Sequence, residues 1–109
     1  MKKLTLIFSV FFTVASLAQA KVGSSNIPIE VERNINKFYQ EMDISQRSYY
    51  VNQNKKAYLD MMNYINSSYI PNEEKEGILR NVESMYPNNY IMQRNEAINR
   101  VDHVKSLMK

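Results

Sequence analysis

Apolar residues recur every three or four positions along most of this sequence, and this spacing restricts the fold more than any other feature. The first such run is spaced by four, four, three and four residues: Ile27, Val31, Ile35, Phe38 and Met42. At about 100° per residue, these positions form one narrow stripe along a helix. The chain contains two glycines and no extended run in which apolar and polar residues alternate. A sheet is therefore disfavoured, and the sequence predicts an all-α fold.

Three prolines and one polar break divide the chain into helical segments. Pro28, Pro71 and Pro87 each lie beside residues that favour the start of a helix. The break near Asp43–Ser45 supplies further capping side chains. We expect a small bundle of three to four helices in a helical domain of residues 28–109. The predicted helices cover about residues 28–42, 45–66, 73–86 and 89–108.

The first twenty residues have the pattern of a bacterial secretory signal peptide. Met1–Lys3 is basic, Leu4–Leu17 is mostly apolar, and Ala18–Ala20 matches the small-residue cleavage pattern A-x-A. The apolar stretch is shorter than the roughly 20 residues that a membrane-spanning helix needs. We therefore expect cleavage after Ala20, a short leader of residues 21–27, and a periplasmic or secreted protein without a stable membrane anchor.

Charge and cysteine content disfavour several classes of function. Two of the 14 Lys and Arg residues lie in the predicted signal peptide and no acidic residue does, which leaves 12 basic and 11 acidic side chains and a net charge of +1. Such a balance gives no reason to expect a nucleic-acid partner, which would need a concentrated basic surface. The absence of cysteine excludes disulfides, thiolate metal sites and a lipoprotein anchor.

Few residues of this chain are suited to catalysis or metal binding. His103 is the single histidine and falls outside the apolar stripe of the last predicted helix, so we expect it to be solvated. The carboxylates fall at helix ends or on exposed faces, and no phosphate-binding loop, metalloprotease motif or calcium loop occurs. Most methionines fall on or beside the apolar stripes, which favours core packing over copper binding. We therefore predict no enzyme activity, no metal and no cofactor, and keep a small cell-wall hydrolase as an alternative.

Tyrosine, with eight copies, is the most informative residue type. Four tyrosines lie on apolar stripes and are predicted to pack in the core: Tyr58, Tyr69, Tyr86 and Tyr90. Tyr49 falls on the polar face of the second helix, and Tyr50 and Tyr64 fall on stripe edges. Tyrosine is enriched at interfaces because it combines rigid contact area with a polar end. Our hypothesis is that Tyr49, Tyr50 and Tyr64 mark the border of a partner-binding or self-association face; the alternative is that they widen a small core.

These features favour a small exported, non-enzymatic helical protein that binds another protein. It would present a helix face to an unidentified partner of the bacterial envelope, as an accessory factor, an inhibitor or a chaperone. An alternative is a secreted factor that acts on a host or competitor cell. A homodimer is also compatible with the sequence, because the broad apolar face of the second helix can be covered by a second copy as well as by the other helices.

Overall fold

The structure is a computed structural model that describes residues 27–108. Within these residues the chain forms four α-helices: α1 (Ile29–Phe38), α2 (Ile44–Ser67), α3 (Asn72–Met85) and α4 (Tyr90–Leu107). The predicted small all-α bundle is therefore confirmed. The predicted signal peptide, residues 1–20, and all but the last residue of the predicted leader lie outside the described residues.

The chain divides into two units, and the boundary falls between Asn34 and Ile35, within α1. In the first unit Ile27 is fully buried, and the carbonyl oxygen of Pro28 accepts the N–H of Glu32 at 3.0 Å, which closes the first turn of α1. The second unit contains the last residues of α1 and all of α2, α3 and α4. All surfaces considered below belong to this second unit.

The core of the second unit is aliphatic, and α4 packs against both α2 and α3. Its buried members are Met61, Ile65, Ile70, Ile78, Val82, Ala97 and Val101. The helical members form one pair spaced by four residues in each helix: Met61 and Ile65, Ile78 and Val82, and Ala97 and Val101. Ile70 enters the core from the turn between α2 and α3. Removal of these side chains from water is the main favourable contribution to folding of the unit.

The turn between α3 and α4 is fixed from both of its ends. Asn88 has a φ of 64°, in the left-handed region that asparagine tolerates better than most residues. Asn89 then caps α4, because its side-chain oxygen accepts the N–H of Met92 at 3.1 Å. On the α3 side, the buried amide of Gln93 donates from Nε2 to the carbonyl oxygen of Tyr86 at 2.8 Å. This bond satisfies a carbonyl at the helix end that has no partner within the helix.

The first helix is shorter than predicted, since α1 ends at Phe38 and not near Met42. Beyond Phe38, the N–H groups of Gln40 and Met42 donate to carbonyl oxygens three residues earlier, at 3.3 and 3.1 Å, so the chain forms tight turns. The N–H of Tyr39 still donates to the carbonyl oxygen of Ile35 at 3.3 Å, and the change to bonds over three residues follows it. The hydroxyl of Tyr39 accepts a hydrogen bond from Asn54 of α2. The predicted ends of the other three helices each lie one residue from the observed ends.

Candidate functional site

The structure places the three predicted interface tyrosines at two different positions along α2. Tyr49 and Tyr50 are adjacent in its first half, with exposed fractions of 60% and 41%. Tyr64 is partly exposed and lies fourteen residues further on, which corresponds to about 21 Å along the helix axis. The structure therefore brings Tyr49 and Tyr50 together and does not bring Tyr64 to them.

Tyr49 and Tyr50 belong to a row of four aromatic rings, here called the aromatic ladder, that also contains Phe38 and Tyr39. The rings of Tyr39 and Tyr50 are nearly parallel, with centroids 5.8 Å apart and an interplanar angle of 14°. Each of these two rings also meets an outer ring at nearly a right angle: Phe38 lies 4.9 Å from Tyr39 at 87°, and Tyr49 lies 5.3 Å from Tyr50 at 84°. Both arrangements are favourable for aromatic pairs.

Phe38 was expected on the buried stripe of the first helix, but its side chain is 54% exposed. Phe38 is the last residue of α1, and the edge-to-face contact with Tyr39 places its ring in the ladder. Three of the four rings of the ladder, those of Phe38, Tyr49 and Tyr50, are thus exposed.

The ladder is held by the buried side chain of Asn54, which has no solvent-exposed surface. Its Nδ2 donates to the hydroxyl oxygen of Tyr39 and to the carbonyl oxygen of Tyr50, both at 3.0 Å. Its Oδ1 accepts the backbone N–H of Tyr90 at 2.9 Å. Tyr90 is the first residue of α4, where N–H groups have no partner within the helix. One amide therefore joins the chain after α1, the middle of α2 and the start of α4.

The role of Asn54 was not identified from the sequence, although its position along α2 indicated a buried residue. Val51, Asn54 and Tyr58 continue the three-and-four spacing of the α2 stripe, so the asparagine occupies a core position. A polar residue at such a position must find hydrogen-bond partners in the folded protein, since an unpaired buried amide is costly. The sequence does not reveal which partners it finds, because Tyr39 and Tyr90 lie far from it along the chain.

The outward surface of α2 beside the ladder is polar but almost uncharged. Its exposed polar residues are Ser45, Gln46, Ser48, Asn52 and Gln53. Arg47 is the single ionisable side chain other than the two tyrosines between Ile44 and Asn54, and its Nε atom is buried without a hydrogen-bond partner among the described residues. No hydrogen bond to the hydroxyl of Tyr49 or Tyr50 occurs within residues 27–108. On α2, the ladder is thus bordered mainly by hydroxyl and amide groups.

Tyr64 takes part in a separate polar contact between α2 and α4. Its hydroxyl donates to Oδ1 of Asp102, and this hydrogen bond raises the pKa of the Tyr64 phenol because the phenolate would lose the bond and lie beside a carboxylate. The Lys105 ammonium lies 5.3 Å from the ring centroid of Tyr64 and 5.9 Å from that of Tyr69. Such cation–π contacts, together with the hydrogen bond, give Tyr64 a role in holding the two helices together.

The four tyrosines that were predicted to pack in the core divide in the structure. Tyr90 is buried, and Tyr58 and Tyr86 are partly buried. Tyr69 is 64% exposed, so that prediction is wrong. The reason is that α2 ends at Ser67, and the stripe of α2 therefore does not continue to residue 69; Ile70 fills the core from this turn instead.

A shallow groove between α2 and α4 is lined by Asp60, Asn63, Tyr64, Ser67, Arg94 and Ile98. Its single carboxylate, that of Asp60, lies 3.1 Å from the ammonium of Lys56 and 3.6 Å from the guanidinium of Arg94. Glycosidase chemistry uses two carboxyl groups that flank the reacting bond, whereas the lining residues of this groove include one. Within residues 27–108, no three His, Asp or Glu side chains are grouped as metal ligands, and His103 is exposed.

The described part of the chain is a small helical bundle that has an exposed aromatic ladder and contains no helix of the length and apolar character needed to cross a bilayer. No protein-family model, no curated protein and no solved structure matches the chain.

Replacing Asn54 with Ala is expected to lower the free energy of unfolding by about 2 kcal/mol or more, because the Tyr90 N–H and the Tyr39 hydroxyl lose a buried partner and each unsatisfied group costs about 1–3 kcal/mol. Denaturant unfolding followed by circular dichroism measures the change. The matched control is Asn52→Ala, an exposed asparagine of the same helix, which should change the value by less than about 0.5 kcal/mol. Equal effects of the two substitutions would contradict the role given to Asn54.

The buried phenol of Tyr58 predicts a loss of stability at high pH. Burial raises the pKa of Tyr58 to about 12, with smaller contributions from Tyr90 and Glu83. The pKa is higher in the folded state than the value of 10.0 expected in the unfolded state, so the protonated phenol contributes to the stability of the folded state. This contribution is complete below pH 10 and is lost as the pH rises toward 12.

Unfolding measured at several pH values between 9 and 12 tests this expectation. The variant Tyr58→Phe should lose stability less steeply over this range than the unchanged protein. Tyr69→Phe, which alters an exposed ring, should retain the steep loss. If Tyr58→Phe shows the same pH dependence as the unchanged protein, the phenol of Tyr58 does not titrate as described.

Proposed function

We propose that this protein is a small exported, non-enzymatic binding protein that presents its aromatic ladder to a protein partner in the bacterial envelope. The observation that supports the proposal is the exposure of Phe38, Tyr49 and Tyr50, which are linked through Tyr39 in one row of contacting rings. Single exposed apolar side chains are common on soluble proteins, but adjoining large ones mark interaction sites. Aromatic residues are also the residue class most enriched in the buried centres of protein interfaces.

The ladder is suited to binding because its rings are ordered before a partner arrives. Tyr39 is fixed by its hydrogen bond to Asn54, and the stacked ring of Tyr50 lies against it. Ordering side chains at an interface costs about 0.5–1.5 kcal/mol for each flexible one. A surface that is ordered by buried contacts avoids much of this cost, and a tyrosine offers a large contact area with few rotatable bonds.

Export is the part of the proposal that rests on the sequence of residues 1–20, with its basic start, apolar stretch and A-x-A site. The alternative, a secreted factor that acts on a host or competitor cell, would use the same surface outside the cell. Fractionation of the producing cells separates the two: retention of the processed protein in the envelope fits the first function, and accumulation in the medium fits the second.

Site-specific photo-crosslinking in the producing cells tests the proposed surface. A photoreactive residue at position 53, beside the ladder, is expected to give a discrete product with one partner. The same group at position 81, an exposed asparagine of α3, should not give this product.

The matched variant for this experiment is Tyr49→Ala. Because Tyr49 is largely exposed, the variant should unfold within about 0.5 kcal/mol of the unchanged protein and should give no product from position 53. A product that persists in Tyr49→Ala, or that forms equally from position 81, would count against the ladder as the binding surface. Loss of folding in Tyr49→Ala would instead assign the tyrosine to the core.

A further inference from the structure

We infer that the segment of the partner that the aromatic ladder binds is uncharged, rich in proline and in the polyproline II conformation. This inference rests on the proposed function, because it specifies the chemistry of the partner at the same surface. It follows from the charge beside the ladder, from its unused hydrogen-bonding groups and from the angles between its rings.

The charge beside the ladder favours an uncharged segment. Two basic and two acidic side chains lie around the turn between α1 and α2: Lys37, Arg47, Glu41 and Asp43. The outward polar residues of α2 beside Tyr49 carry hydroxyl and amide groups. Because these charges balance, the surface has no net charge that would attract a charged segment of either sign. An uncharged segment does not need such an attraction.

The hydrogen-bonding groups beside the ladder favour a segment with an excess of acceptors. No hydrogen bond to the hydroxyls of Tyr49 and Tyr50 occurs within residues 27–108, and the amides of Gln46, Asn52 and Gln53 are exposed next to them. A polyproline II segment has no internal hydrogen bonds, so its carbonyl oxygens point outward and are available to such donors. Proline has no backbone N–H, so the segment brings few donors that would need partners of their own.

The angles between the rings also favour proline over a flat ligand. Phe38 and Tyr49 stand nearly perpendicular to the stacked pair between them, so the surface alternates between ring faces and ring edges. The five-membered rings of proline can pack in the steps of such a surface, which is the way in which aromatic grooves bind proline-rich segments. Because the segment is also ordered before binding, little conformational entropy is lost.

Fluorescence anisotropy with a labelled, end-blocked oligoproline of about ten residues tests the inference on the purified protein. We expect saturable binding, and we expect Tyr49→Ala to weaken it by about tenfold or more. The matched control is Tyr69→Ala, which removes an equally exposed tyrosine outside the ladder and should leave the affinity unchanged. Thermal unfolding of both variants verifies that they are folded.

Several results would overturn the inference: no saturable binding of oligoproline, equal binding by Tyr49→Ala, or equal binding of a glycine-serine peptide of the same length. Binding of a neutral chito-oligosaccharide in place of oligoproline would assign the ladder to a glycan. Self-association that Tyr49→Ala abolishes, measured by light scattering, would assign it to a second copy of this chain.

Failure of the inference can be distinguished from failure of the proposed function. If oligoproline does not bind while the Tyr49-dependent crosslink from position 53 persists, the inference fails and the proposed function stands. If both are absent, the proposed function fails as well.

Discussion

The buried amide of Asn54 is the contact on which the candidate binding surface depends. Its three hydrogen bonds reach Tyr39 after α1, the backbone of α2 at Tyr50, and the first N–H of α4 at Tyr90. A buried polar group is favourable only when its partners are all in place, so this amide selects one arrangement of the three segments over others. The buried hydrogen bonds of Asn54 therefore help to fix the positions of Tyr39 and Tyr50, the two central residues of the ladder.

The core and the ladder contain different kinds of apolar side chain. The core between α2, α3 and α4 is built from aliphatic side chains and one alanine, whereas Phe38, Tyr49 and Tyr50 remain outside it. A small protein has little apolar area to bury, and exposure of three large aromatic side chains reduces the free energy that it gains from burial. Such an arrangement is expected where those side chains act in binding.

The sequence was sufficient to predict the helices and most of the core, because both depend on the local spacing of apolar residues. Ile65, Val82 and Val101 lie on predicted stripes and are fully buried. The end of α1 and the exposure of Phe38 were not predictable in this way, since the residue that follows, Tyr39, contacts Tyr50 and Asn54, which lie far from it along the chain. For the site, the sequence placed Tyr49 on the polar face of α2 and Tyr50 on a stripe edge, and left open whether they border an interface or widen the core. It did not reveal that Tyr64 bonds instead to Asp102, 38 residues away along the chain.

The central claim is that the ladder is an ordered surface in the free protein, and proton NMR tests it most directly. The account predicts nuclear Overhauser contacts between the rings of Tyr39 and Tyr50 and between those of Tyr49 and Tyr50, with ring resonances shifted from their values in short peptides. Absence of both contacts, with tyrosine resonances at peptide values in an otherwise folded protein, would contradict it.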